Sequence, residues 1–148
     1  MKVIHLHFGK EGGAERFFVN LANEFGNRGV EQRFVIRPGR SWTPQISGLG
    51  PVIENDYRRI SPSSYILQWR VVQMCKTWQP DAVMAWMPRA ARLIPKYANA
   101  VKLTRLGDFP RHLEHFSRCD ALVGNTPDIG IHCRKLGWIK PMLTISNF

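Results

Sequence analysis

The first 37 residues constrain the chain most. Met1 to Phe8 is an apolar run of strand length with β-branched content, and it ends at Gly9-Lys10-Glu11-Gly12-Gly13, a loop signal. Ala14, Phe17, Phe18, Leu21, Ala22 and Phe25 then recur at helical spacing, while Glu15, Arg16, Asn20, Asn23, Glu24 and Asn27 take the opposite face. Gly26 and Gly29 flank the helix end, and Arg28 complements its dipole. Gln32 to Arg37 reads as a second strand, closed by Pro38-Gly39. Strand, glycine turn, helix and strand in so short a span make a βαβ unit, which commits the chain to a parallel sheet covered by helices.

The same alternation continues. Residues 38–62 are rich in Gly, Pro and Ser and lack periodicity outside a short strand at Val52-Ile53; a loop of this length is expected to be functional or mobile. Ser63 to Gln79 reads as a helix with a core stripe of Leu67, Val71, Met74, Cys75 and Trp78, stopped by Pro80. A strand over Asp81–Trp86 follows, and Pro88 opens a helix that continues from Ala90 to Ala98. Next come a strand at Val101–Leu106, a loop at Gly107–Pro110, a short helix to about Arg118 and a strand at Ala121–Val123. Asn125 or Thr126 caps a helix to about Leu136 with Pro127 at its first position, and Met142–Ile145 is a last strand. About six β/α units in 148 residues give one α/β domain, a Rossmann-like doubly wound parallel sheet. Ligands are expected at the carboxyl ends of its strands. The chain stops at Ser146-Asn147-Phe148, straight after a strand, as a domain cut from a longer protein would.

Gly12-Gly13 sits where the first strand hands over to the first helix. Adjacent glycines let a ligand approach the backbone, and the free N–H groups of the helix start favour a phosphate. The pattern is neither G-x-G-x-x-G nor G-x-x-x-x-G-K-[ST], which disfavours a dinucleotide fingerprint or a P-loop. A plain tight turn remains the competing reading.

The wider series narrows the choice. Gly12-Gly13-Ala14-Glu15-Arg16, then Leu21-Ala22 and Arg28-Gly29, resembles the opening of family-4 glycosyltransferases. Pro80-Asp81-Ala82-Val83 is similar to that family's P-D strand, Cys119 to Thr126 to its "D-x-[VIL]-[VIL]-x-x-S/T" segment, and Ile145-Ser146-Asn147-Phe148 to its "I-P-N" turn before the interdomain linker. The resemblance spans the whole chain in order. It implies the N-terminal, acceptor-side half of a retaining, metal-independent GT-B enzyme without a cofactor. The nucleotide-diphosphate sugar, as substrate, would be gripped by a C-terminal domain carrying the E-x7-E motif, with Gly12 and Gly13 approaching its diphosphate. The acceptor would be a glycan or a lipid-linked, lipopolysaccharide-type molecule. Two positions depart from the family pattern. Trp86 stands where many members have His, and Gly107-Asp108 where many have His-Asp. Asp108 is therefore the catalytic candidate, with His7, Glu15, Trp86, Arg105 and His112 as acceptor or cleft candidates; His115 lies close to His112, and His5 reads as packed.

Charge adds a second feature. The chain carries a formal +10, and between Arg58 and Arg111 ten Lys/Arg face only Asp81 and Asp108. Opposite the core stripe of the Ser63–Gln79 helix lie Tyr65, Ile66, Trp69 and Val72, interleaved with Arg70, Gln73 and Lys76. Exposed aromatics beside cations suit an anionic membrane surface; packing against another domain is the competing use. No stretch approaches the ~18 apolar residues of a membrane-spanning helix, and the N-terminus reads as a strand rather than a signal peptide. Cys75, Cys119 and Cys133 form no C-x-x-C pair, which argues against disulfide or zinc chemistry and for a reducing compartment. The expectation is a cytoplasmic protein, peripheral on the inner face of the cytoplasmic membrane. Two other readings stay open here. One is a stand-alone Rossmann-like module for a nucleotide or phosphorylated ligand. The other, a nucleic-acid binder, has only the charge behind it and no motif.

Overall fold

The computed structural model describes residues 1–10, 12–58 and 60–147. Its elements are β1 (Lys2–His7), α1 (Gly13–Asn27), β2 (Glu31–Ile36), β3 (Val52–Glu54), α2 (Pro62–Trp78), β4 (Ala82–Trp86), α3 (Met87–Ala91), β5 (Val101–Leu106), β6 (Ala121–Gly124), α4 (Pro127–Lys135) and β7 (Met142–Thr144), with single 3-10 turns at Thr43–Gln45 and Glu114–Phe116. The strands form one sheet in the order β3-β2-β1-β4-β5-β6-β7, every neighbouring pair parallel. The order reverses between β1 and β4. That reversal opens a crevice at the carboxyl ends of these two strands, at His7 and Trp86.

Alternation along the strands feeds two cores. Ile4, Leu6, Val35, Val83 and Ala85 pack under α2, α3 and α4. Val3, Phe34, Ile36, Met84 and Trp86 pack under Phe17, Phe18, Val19 and Ala22 of α1. Helix α1 starts at a glycine with no side-chain cap, so packing holds it; each buried large side chain contributes about 1.5–3 kcal/mol. Helix α2 is capped as well as packed: the Ser61 hydroxyl accepts the Ser64 N–H and Pro62 takes the first turn.

Two expectations need correction. The helix expected to run from Ala90 to Ala98 ends at Ala91, because Pro95 supplies no N–H and disfavours helical geometry before it. Leu93 and Ile94 are buried through turn hydrogen bonds to the Ala90 and Ala91 carbonyls instead. The short helix expected up to Arg118 is a 3-10 turn at Glu114–Phe116, which buries Phe116. The aperiodic 38–62 stretch, expected to be functional or mobile, is anchored where Trp42 and Ile46 enter the α1-side core.

Candidate functional site

Residues 3, 5 and 7 of β1 face α1, which carries both histidines of that strand inward. His7 closes the strand. Its Nδ1 accepts the Gly9 N–H at 3.2 Å, which leaves the proton on Nε2, and that atom is buried with no partner among the described residues. Its ring packs against Phe18, Trp42 and Trp86 at centroid distances of 4.6, 5.3 and 5.7 Å. Burial, reinforced by neighbouring His5, lowers its pKa to about 3. His5 is held to about 4 by burial, against the opposing hydrogen bond to Gln32. Both imidazoles are neutral near pH 7 and serve as aromatic packing. His7 therefore lies beneath the cleft rather than on its wall, and Trp86, also buried, forms part of the same floor.

Arg105, one residue from the end of β5, is equally deep. Its guanidinium lies over Phe17 at 4.1 Å and Trp86 at 5.8 Å. Nη2 donates to the Ile145 carbonyl at 3.1 Å and to Asn147 Oδ1 at 2.6 Å. Among the described residues it pairs with no carboxylate, and Nε has no partner. Burial lowers its pKa from the usual arginine value.

Two pockets flank this floor. One, of about 310 Å³, lies between the start of α1 and the Ser41–Gln45 segment, with Gly12 and Glu15 in its lining. Gly13 opens α1 with no positive φ, and a Cβ there would meet nothing within 4 Å. The second, of about 290 Å³, brings Asp108 and His112 together with Met87, Gly107 and His115. Asp108 and His112 are exposed, and Asp108 Oδ1 accepts the Phe109 N–H at 2.7 Å. The structure thus gathers the sequence candidates into two groups, Gly12, Glu15, His7 and Trp86 on one side and Asp108 with His112 on the other. Sequence reasoning missed Met87, which turns the chain at the end of β4 with φ 73, a strained value for a non-glycine residue. It also missed His132, whose Nε2 bonds the Pro110 carbonyl at 2.8 Å and braces the Asp108 loop. No group of three or more potential metal ligands occurs among the described residues.

The membrane-face candidates lie elsewhere. Tyr65, Ile66 and Trp69 are 66%, 59% and 63% exposed along α2, with Arg70 and Lys76 exposed beside them. A cavity of about 650 Å³ adjoins this helix near Lys76, Lys96 and Tyr97, at the end of the sheet opposite the switch-point crevice.

Similarity to known proteins bears on this arrangement. No protein-family model matches the chain. All 148 residues align with the lipopolysaccharide core biosynthesis glycosyltransferases LpsD and LpsE of Rhizobium meliloti, at 48% and 47% identity. The alignments cover 43% and 44% of those proteins, so the chain spans less than half the length of these relatives. Among solved structures, HepE of Anabaena, crystallised with UDP and glucose, superposes over 99% of this chain and 44% of its own, with a TM-score of 0.72 at 17% identity. The lipopolysaccharide outer core galactosyltransferase WaaB superposes over 94% of this chain and 43% of its own, at TM-score 0.62 and 16% identity. The fold is that of the N-terminal half of a GT-B glycosyltransferase.

Proposed function

We propose that this chain is the acceptor-side half of a glycosyltransferase that builds lipopolysaccharide core, moving a sugar from a nucleotide diphosphate to a glycan or lipid-linked acceptor. The observation that carries the proposal is alignment of all 148 residues, at 47–48% overall identity, with two lipopolysaccharide core glycosyltransferases. The switch-point crevice is where a doubly wound sheet binds ligands, which supports placing the site there. Gly13 presents the open start of a helix, which suits a diphosphate. Asp108 stands exposed in the opposite pocket as the catalytic candidate, with His112 beside it.

The finer reading is a family-4 enzyme that retains anomeric configuration without metal or cofactor, its donor gripped by a second domain. A peripheral position on the cytoplasmic membrane fits the exposed aromatic and basic stripe of α2; no helix among the described residues is long and apolar enough to cross a membrane.

The test is sugar transfer by the full-length protein, from a panel of nucleotide-diphosphate sugars to truncated lipopolysaccharide core, with the product's anomeric configuration read by NMR. Transfer with retention is expected, and residues 1–148 alone should give none. Activity in the isolated chain would sink the division of labour, and inversion would sink the family-4 assignment.

A further inference from the structure

We propose that the pocket between the first turns of α1 and the Ser41–Gln45 segment takes the hydroxyl face of a neutral acceptor sugar, with the Glu15 carboxylate as its hydrogen-bond acceptor. The inference rests on the transferase reading and assigns one subsite within it.

Glu15 is the starting observation. The residue is only 9% exposed, yet its carboxylate has no hydrogen-bond or ion-pair partner among the described residues. Its oxygens are not among the sealed, unbonded polar atoms of the described residues, so they open on the pocket that Glu15 lines, where a ligand hydroxyl can take the place of water. The fold makes room for it. A Cβ on Gly9 would collide with Glu15 Oε1 and come within 2.7 Å of His7 Cε1, and one on Gly12 would come within 3.2 Å of Oε2. The side chain therefore lies back over the glycine turn, in the space that two absent side chains leave. A glutamate at the third helical position often reaches back in this way to cap the helix start. Here no backbone N–H of the described turn residues bonds to it, so capping does not account for its position.

The carboxylate also decides what binds beside it. It occupies the positive end of α1, so an anionic ligand entering this pocket meets a like charge there that offsets the pull of Arg16 across the same lining. A hydroxyl donor meets a charge-assisted acceptor, roughly twice as strong as a neutral one. Asn20 and Gln45 add amide donors and acceptors at the rim. Trp42, whose Nε1 is already bonded to the Lys10 carbonyl at 3.1 Å, contributes an apolar wall. One carboxylate balanced by the Arg16 guanidinium, two amides, the Ser41 side chain and an aromatic wall around about 310 Å³ match a polyhydroxylated neutral ring, since the two charges leave no net positive site for a phosphate. Donor phosphates are left the other side of the turn, at Gly13, where the surface is open.

The experiment is protein-observed NMR on the full-length protein, with methyl glycosides of neutral hexoses and heptoses as probes and inorganic pyrophosphate as the anionic comparison. At least one glycoside should shift the Asn20 and Gln45 side-chain amides and the Trp42 indole saturably, and pyrophosphate should leave them in place. Glu15→Gln, which keeps the shape and removes the charge, should weaken glycoside binding about tenfold. Gly9→Ala, which expels the carboxylate but leaves it in the chain, should weaken it as much. The assignment is overturned if no glycoside moves these resonances, if pyrophosphate does, or if Glu15→Gln binds as the parent does. A Glu15→Gln protein that melts earlier yet binds glycosides unchanged would make Glu15 a helix cap and overturn the assignment equally. Transfer assays separate the two levels. An unchanged acceptor KM in an active Glu15→Gln enzyme removes the subsite and leaves the transferase. A parent protein that transfers nothing removes the transferase reading, while the NMR shifts still decide the pocket.

Discussion

Between pH 7.5 and pH 5, two imidazoles that the fold keeps neutral become charged in the unfolded chain. His5 and His7 titrate near 6.5 when exposed, but burial holds them to about 4 and about 3 in the folded protein. Both folded pKa values are depressed, so the unfolded state binds the extra protons. Stability is complete above pH 6.5 and falls as the pH drops towards the folded values. At pH 5 each exposed histidine lies about 1.5 pH units below its pKa, a loss of about 2 kcal/mol per residue and about 4 kcal/mol for the pair. A domain of this size has a total stability of only about 5–15 kcal/mol. With an unfolding entropy near 0.3 kcal/mol/K for a chain of this length, Tm should fall by about 13 °C. The assay is thermal unfolding followed by tryptophan fluorescence across that pH range, in the parent and in His7→Phe. The variant keeps the aromatic contacts with Phe18, Trp42 and Trp86 but cannot be protonated. Its absolute Tm should drop, because the Gly9 N–H loses its acceptor, while its pH slope should halve. A flat Tm down to pH 5, or an unchanged slope in His7→Phe, would refute the reasoning.

Three further outcomes are expected. Gly13→Ala should fold at least as well as the parent, since neither backbone angle nor neighbour requires glycine there, yet should lower full-length turnover about tenfold if diphosphate approaches that surface; undiminished turnover would make the turn purely structural. Trp69→Ala combined with Arg70→Glu should abolish salt-sensitive cosedimentation with anionic vesicles at nearly unchanged Tm; equal sedimentation would leave the α2 stripe an ordinary surface. Arg105→Met should speed hydrogen exchange at the Ile145 amide, which bonds the Gly124 carbonyl, by freeing the segment that the guanidinium holds; unchanged exchange would show that the segment holds itself.

The elements with clear periodicity were legible in the sequence. The apolar stripe of α1 is buried through Phe17, Phe18 and Ala22, and α2 buries Leu67, Val71, Met74 and Cys75 while exposing its second apolar face. What escaped lacks period. Trp42 and Ile46 reach the core from a stretch whose pattern resembles a loop, and only tertiary packing brings them over β1. Their arrival also changes the meaning of His7: alternation along β1 placed it at the crevice, but Trp42 roofs it over. Glu15 was legible as part of a motif. Its lack of a partner among the described residues was not, because that depends on how far Gly9 lets the side chain fold back. Met87 left no readable mark, since a residue before proline usually turns extended rather than left-handed.

Among the described residues Arg105 has neutral hydrogen-bond partners only, a backbone carbonyl and an asparagine amide, and that changes how far its influence extends. A surface lysine acts through water and loses its reach as ions gather around it, over ~8 Å at physiological salt. A guanidinium sealed between Phe17 and Trp86 is surrounded by matter that polarises weakly, and no carboxylate of the described residues cancels it. The floor of the crevice should therefore stay positive in brines that erase the potential of the rest of this basic surface. For an anionic substrate, attraction to the protein as a whole would fade with ionic strength, and attraction to this one spot would persist.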